Sequence, residues 1–159
     1  MMKYFIFTSV LLLNSVMSGE AMADCATNQL TDASNPTLND LLSGHTVCEA
    51  AGDAAATGPD QSWGVQEEHR SGGELWDYKR GPSSTIDPTK LIGAWSVSGT
   101  GANTVVNYSY LAGGGGGIYK VYNNGNASYD ICNGPARVAT VTVVPSIGSG
   151  CSGFAHGAP

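Results

Sequence analysis

Positive charge is scarce in this chain. Lysine and arginine together number 7 against 13 aspartates and glutamates, the net charge is −6, and charged residues of all kinds make up 13% of the sequence. Soluble domains average about 25%. Binding to nucleic acid or to an anionic membrane surface rests on cationic contacts with phosphates, so this balance argues against both kinds of partner. A second long apolar run is also missing. After residue 16 no stretch approaches the roughly 20 residues a helical span requires, so no membrane span is expected. The cysteines form no Cys-x-x-Cys pair, and His45, His69 and His156 are widely separated, which assigns no metal site. A nucleophile elbow is lacking too, since Gly148-Ser149-Gly150 falls in the tail and not at a strand-to-helix turn. The glycine run 113–117 is followed by neither a helix nor Lys-Ser/Thr, so it is no phosphate loop. These absences leave no catalytic residue to assign, and no cofactor is implied.

The chain opens instead with an address. Lys3 precedes an apolar run over 4–16, interrupted by Thr8, Ser9 and Asn14, and Ala21-Met22-Ala23 is a small-x-small cleavage signal. That pattern predicts a signal peptide over 1–23 and a single domain over 24–159, periplasmic or secreted. Asp24 stands where a lipoprotein would need a small neutral residue before Cys25. Four cysteines (Cys25, Cys48, Cys132 and Cys151) follow the cleavage point, and an even count in an exported chain predicts two disulfides. Three pairings are possible. Cys25–Cys48 with Cys132–Cys151 closes the shortest loops and is favoured on that ground, with Cys48–Cys132 as its rival.

The body of the sequence reads as strands. One short helix is expected near its start, with Asn35 as cap, Pro36 in the first turn, Leu38, Leu41 and Leu42 on one face, and Gly44 as the stop. Strands are then expected over 45–49, 63–70, 74–80, 91–98, 104–111, 118–122, 129–132 and 137–144. Ser71-Gly72-Gly73 and the Asn-Gly at 124–125 supply hairpin turns, and the glycine run 113–117 reads as a tip that holds no strand. About eight strands in sequence order form an antiparallel meander. Closure removes its edges, so the predicted fold is all-β, a small barrel or a twisted sandwich with one N-terminal helix.

Chemistry concentrates in 63–80. Glu67 and His69 alternate inward with Trp63 and Val65, while Glu68 and Arg70 face the other way. Adjacent glutamates on opposite faces are not a glycosidase dyad. Two uses fit the charges around the 71–73 turn. One is cross-strand pairing of opposite charges. The other is a site at a barrel mouth formed by Glu67, His69, Asp77, Tyr78 and Arg80. The tryptophans at 63, 76 and 95 and the tyrosines at 108, 110, 119, 122 and 129 read either as a core of large residues or as the lining of a ligand site.

LLSGHTVC at 41–48, QEEHR and GGELWDYKRGP within 63–82, DPTK and GAWSV within 87–97, and Tyr-x-x-Cys at 129–132 resemble a family of small exported bacterial β proteins of uncharacterised function. The resemblance implies export and a single β domain and carries over no site residue. Gly93-Ala94-Trp95 is similar to the Gly-x-Trp of lipocalins, which opens the barrel there and falls in mid-chain here. The function expected is a non-enzymatic β-barrel of the cell envelope that binds a small molecule, a glycan or a partner protein. A structural or assembly module is the alternative, and a hydrolase or isomerase using His69 is a more distant one.

Overall fold

A computed structural model describes residues 25–50, 63–77, 90–111, 115–145, 147–148 and 151; the side chains of residues 50, 63–65 and 77 lie outside the description. The signal peptide read at 1–23 also lies outside it. Eight antiparallel strands form one closed barrel in sequence order: β1 (His45–Ala50), β2 (Trp63–His69), β3 (Glu74–Asp77), β4 (Lys90–Ser98), β5 (Val105–Tyr110), β6 (Gly116–Gly125), β7 (Ser128–Asn133) and β8 (Ala136–Val144). β8 closes on β1 with Thr46 opposite Val144 and Glu49 opposite Val141. Closure pairs every strand on both sides, which resolves the choice between barrel and sandwich in favour of the barrel.

Period-two alternation fills the interior. Val47, Leu75, Trp95, Val106, Tyr108, Val121, Tyr129, Ala139, Val141 and Val143 form one core cluster with Leu30 and the helix leucines. On β4 and β5 the outward positions are Ala94, Ser96, Ser98, Val105, Asn107 and Ser109, a mostly polar face where a lipid-facing wall would be apolar. The helix α1 (Leu38–Leu42) buries Leu38, Leu41 and Leu42 against one end of the barrel. Its cap is Thr37, not the expected Asn35, because the Thr37 hydroxyl accepts the Asp40 N–H at 3.1 Å. Gly44 follows at φ 76 and donates its N–H to the His69 carbonyl at 2.7 Å, fastening the helix to the end of β2.

Two turn expectations need correction. The β6–β7 hairpin turns at Asn126-Ala127, both at positive φ, and not at Asn124-Gly125. Paired positive φ values are the mark of a type I′ turn, and Gly125 is drawn into the register shift beside it. The glycine run does hold strand at its end, since Gly116 and Gly117 pair with Ser109 and Tyr108. Gly116 is required there by close approach, because a Cβ would strike the backbone carbonyl of Tyr108, and the ring of Tyr119 folds back over Gly117.

The disulfides are Cys25–Cys132 and Cys48–Cys151, so both expected pairs and the rival Cys48–Cys132 are wrong. The reason lies in how the chain ends run. Residues 28–30 hydrogen-bond to β6 through Leu30 N–H to the Val121 carbonyl and Asn123 N–H to the Asn28 carbonyl, which carries Cys25 to the outward Cys132 on β7. The tail crosses β2, where Gly148 N–H donates to Glu68 at 2.6 Å and Cys151 N–H donates to Gln66 at 3.0 Å. Gln66 is the register partner of Cys48. The N-terminal segment thus lies along β6 with Leu30 in the core, the tail straps the outer face of β2, and short-loop arithmetic cannot see either. Two disulfides fit an oxidising compartment.

Candidate ligand-binding site at the barrel mouth

The up-and-down order gives the barrel two different ends. At one end lie the short turns 70–73, 99–104 and 126–127, the helix and residues 28–34. Leu30, Leu38, Leu75 and Trp95 are buried here, and Asp32 accepts the Gly101 N–H at 2.7 Å, so the end is filled and tied across. The strand ends at Ala50, Asp77, Lys90, Tyr110, Gly116 and Ala136 form the other rim.

Above the packed end the lumen is hollow. A cavity of about 210 Å³ is lined by Val47, Glu49, Glu67, Tyr108, Tyr110, Tyr119, Ile131, Val138, Ala139 and Val141. The carboxylates come from β1 and β2, the three tyrosines from β5 and β6 on the far side, and the aliphatic residues mainly from β7 and β8. Tyr110 spans the gap and donates its hydroxyl to Glu67 at 3.0 Å. Its ring lies parallel to that of Tyr108 at 6.3 Å, and Tyr119 tilts against Tyr108 at 6.0 Å. Burial, then the Glu67 charge, holds the hydroxyls of Tyr108 and Tyr110 well above the usual tyrosine range, and Glu49 adds to the effect at Tyr110. Both phenols therefore remain protonated donors.

His69 sits below this chamber, fully buried, with the rings of Trp95 and Tyr108 edge-on at 5.2 and 5.5 Å. Its Nδ1 lies 3.2 Å from the Glu67 carbonyl, an acceptor only, so Nδ1 carries the proton. Nε2 then accepts the Tyr108 hydroxyl at 2.8 Å. Burial pulls the His69 pKa down to about 4, against a weaker raising by that carbonyl bond. A neutral imidazole with both nitrogens engaged orients Tyr108; its lone pair is already used.

The other expected site residues divide. Glu67 and His69 do turn inward on β2. The backbone of Asp77 pairs with Glu67 on β3, while its side chain, Tyr78 and Arg80 lie outside the described residues. Among the described residues, one ion pair of this region runs along a single strand. Arg70 meets Glu68 at 3.0 Å on the outer wall, and its guanidinium lies 3.8 Å from the centroid of Trp76. Trp76 thus faces outward, not into the core, and donates to Glu74 at 3.0 Å. Glu68 is buried all the same, because the C-terminal strap covers it and its two oxygens accept from Arg70 and Gly148.

Glu49 was absent from the site expected from sequence. Its signal was available: it stands two residues after the inward Val47 on the same strand. The tyrosines at 108, 110 and 119 were legible as a possible lining, but only strand closure shows that they face the carboxylates. Comparison with known protein families, with curated proteins and with solved structures finds no match.

Proposed function

We propose that this chain is an exported, non-enzymatic β-barrel that binds a small ligand in the lumen at its mouth. The observation that carries the reading is the cavity of about 210 Å³ between two carboxylates, three tyrosine rings and an aliphatic wall, in a barrel whose other end is packed solid. Pockets for drug-sized molecules run to about 300–1,000 Å³. A dry cavity of about 150 Å³ accepts a benzene ring, so the ligand here has the size of one substituted ring or a short chain. The two disulfides and the leader pattern support a periplasmic or extracellular setting. The inward placement of His69 under Tyr108 speaks for positioning over acid–base chemistry. A thermal-shift screen of single-ring and short-chain compounds on the oxidised protein tests the reading. Saturation at about 100 times Kd adds roughly 2.7 kcal/mol of stability, easily seen. A screen that leaves the melting temperature unmoved counts against the site.

The rim favours a second reading, an envelope assembly module. Leu91, Leu111, Ile118 and Val138 are exposed large apolar residues near strand ends of the mouth, Leu111 at 69% and Ile118 at 62% exposure. Size-exclusion chromatography distinguishes it, since a clean monomer at high concentration removes self-assembly.

A further inference from the structure

The polar groups of the lumen restrict what its ligand can be, an inference that rests on the ligand-binding reading above. Among the described residues, five lining side chains carry polar atoms: Glu49, Glu67, Tyr108, Tyr110 and Tyr119. Four of these are already engaged. Tyr108 donates to His69 Nε2 at 2.8 Å, and Tyr110 donates to Glu67 at 3.0 Å. Glu49 and Glu67 both have partners within the protein. Tyr119 differs, since its ring tilts against Tyr108 but its hydroxyl has no hydrogen-bond partner among the described residues. Gly117 sets where that hydroxyl lies. The two residues share the inward face of β6, and the phenol folds back over the glycine, where a Cβ would strike it. Gly117 stands opposite Tyr108, one residue from the mouth end of β6, so the uncommitted O–H lies close to the rim. We infer that the lumen takes an uncharged molecule, a single ring or short chain carrying one carbonyl or ether oxygen, and that Tyr119 selects it by donating to that oxygen.

A phenol is a better donor than acceptor, because its oxygen lone pair is drawn into the ring, so the matching ligand group is an acceptor. The rest of the described lining is aliphatic, with Val47, Ile131, Val138, Ala139 and Val141 to take the apolar body. An apolar wall with one well-placed polar group is the usual way a small site fixes orientation. Other chemistries fit less well. An ammonium ion would compete for carboxylates that have partners already, and an anion would enter beside them; either ion also sheds its hydration. A sugar needs several polar partners around its edge, and one uncommitted hydroxyl among the described lining residues does not supply them.

Calorimetric titration of the oxidised protein with acetophenone, ethylbenzene, phenethylamine and phenylacetate, repeated on Tyr119→Phe, tests the inference. Acetophenone is expected to saturate a single site and to weaken about fivefold in Tyr119→Phe, the worth of one hydrogen bond, while ethylbenzene stays within about twofold. Phenethylamine and phenylacetate are expected to bind about tenfold or more weakly than acetophenone. The infrared carbonyl band of bound acetophenone gives a second measurement that needs no variant. It should lie below the band of the ketone in a hydrocarbon solvent, as a hydrogen-bonded carbonyl does. A band at the hydrocarbon position, equal responses of acetophenone and ethylbenzene to Tyr119→Phe, or an ion that binds as tightly as acetophenone overturns the inference and leaves the ligand-binding reading standing. If none of the four probes binds, that reading falls and the inference falls with it.

Discussion

At the closed end of the barrel, Leu38, Leu41 and Leu42 press against a floor containing Leu75 and Trp95, and a buried imidazole is kept neutral. At the mouth, a few residues along the same strands, Glu49, Glu67 and Tyr110 surround empty space. β2 contributes to both: His69 belongs to the floor and Glu67, two residues earlier on the same face, to the chamber. Alternation alone decides which side chains turn inward. What they meet there is decided by what caps the end, and among the described residues it is the closed end that has a helix and an N-terminal strap to bring apolar mass. An inward polar residue near the floor must satisfy its hydrogen bonds within the protein, as His69 does with Tyr108 and a carbonyl. Near the rim, the same inward phase can be spent on recognition.

The largest blow to this contrast should come from the straps. Cys48→Ala with Cys151→Ala opens a loop spanning 103 residues in sequence. The chain-entropy estimate for such a loop is about 4–5 kcal/mol, read as a lower urea midpoint. It should also expose Glu68, since Gly148 would no longer be held over it. Next, Leu75→Ala in the floor is expected to cost about 3 kcal/mol, and Ile131→Ala in the chamber wall about 1 kcal/mol, because the wall already borders a void. Equal losses at the two positions would show that the ends are packed alike.

The pH dependence sharpens the picture. The folded pKa of His69 lies at about 4, below the ordinary 6.5, so the neutral form is the one the fold retains. Its contribution is complete above pH 6.5 and is lost as pH falls towards 4, where the unfolded chain takes up a proton that the native floor refuses. That amounts to roughly 3 kcal/mol. His69→Gln should flatten this part of the stability profile, measured by urea unfolding across the window. An effect as small as that of Ile131→Ala is expected at the rim. Tyr110→Phe removes the donor to Glu67 and should cost about 1 kcal/mol of stability by the same assay.

Much of this architecture was legible from alternation. The spacing of Val106, Tyr108 and Tyr110, and of Thr46, Val47 and Cys48, placed faces correctly, and Leu38, Leu41 and Leu42 announced the plug. Local turn chemistry was less reliable. Asn124-Gly125 looked like a hairpin tip, yet cross-strand register placed the turn at Asn126-Ala127. Glu68 and Trp76 were opaque for a different reason. Their environments come from a tail about 80 residues distant and from Arg70 lying over an indole, and neither leaves a periodic trace. The same holds for the disulfides. Half of the candidate site was visible as Glu67 and the tyrosines; Glu49 and the role of His69 needed barrel closure to bring opposite strands face to face.

The crossed pattern of the two disulfides has a further consequence. Cys25 and Cys48 lie before the connections from β1 to β2, from β3 to β4 and from β5 to β6 at the mouth, and Cys132 and Cys151 lie after them. A protease nick anywhere between Cys48 and Cys132 therefore yields two fragments that remain doubly cross-linked. Such a clipped molecule migrates as one species on a non-reducing gel and separates only with thiol reagent. Sequence around the opening can thus be severed, or exchanged during evolution, without the halves parting company.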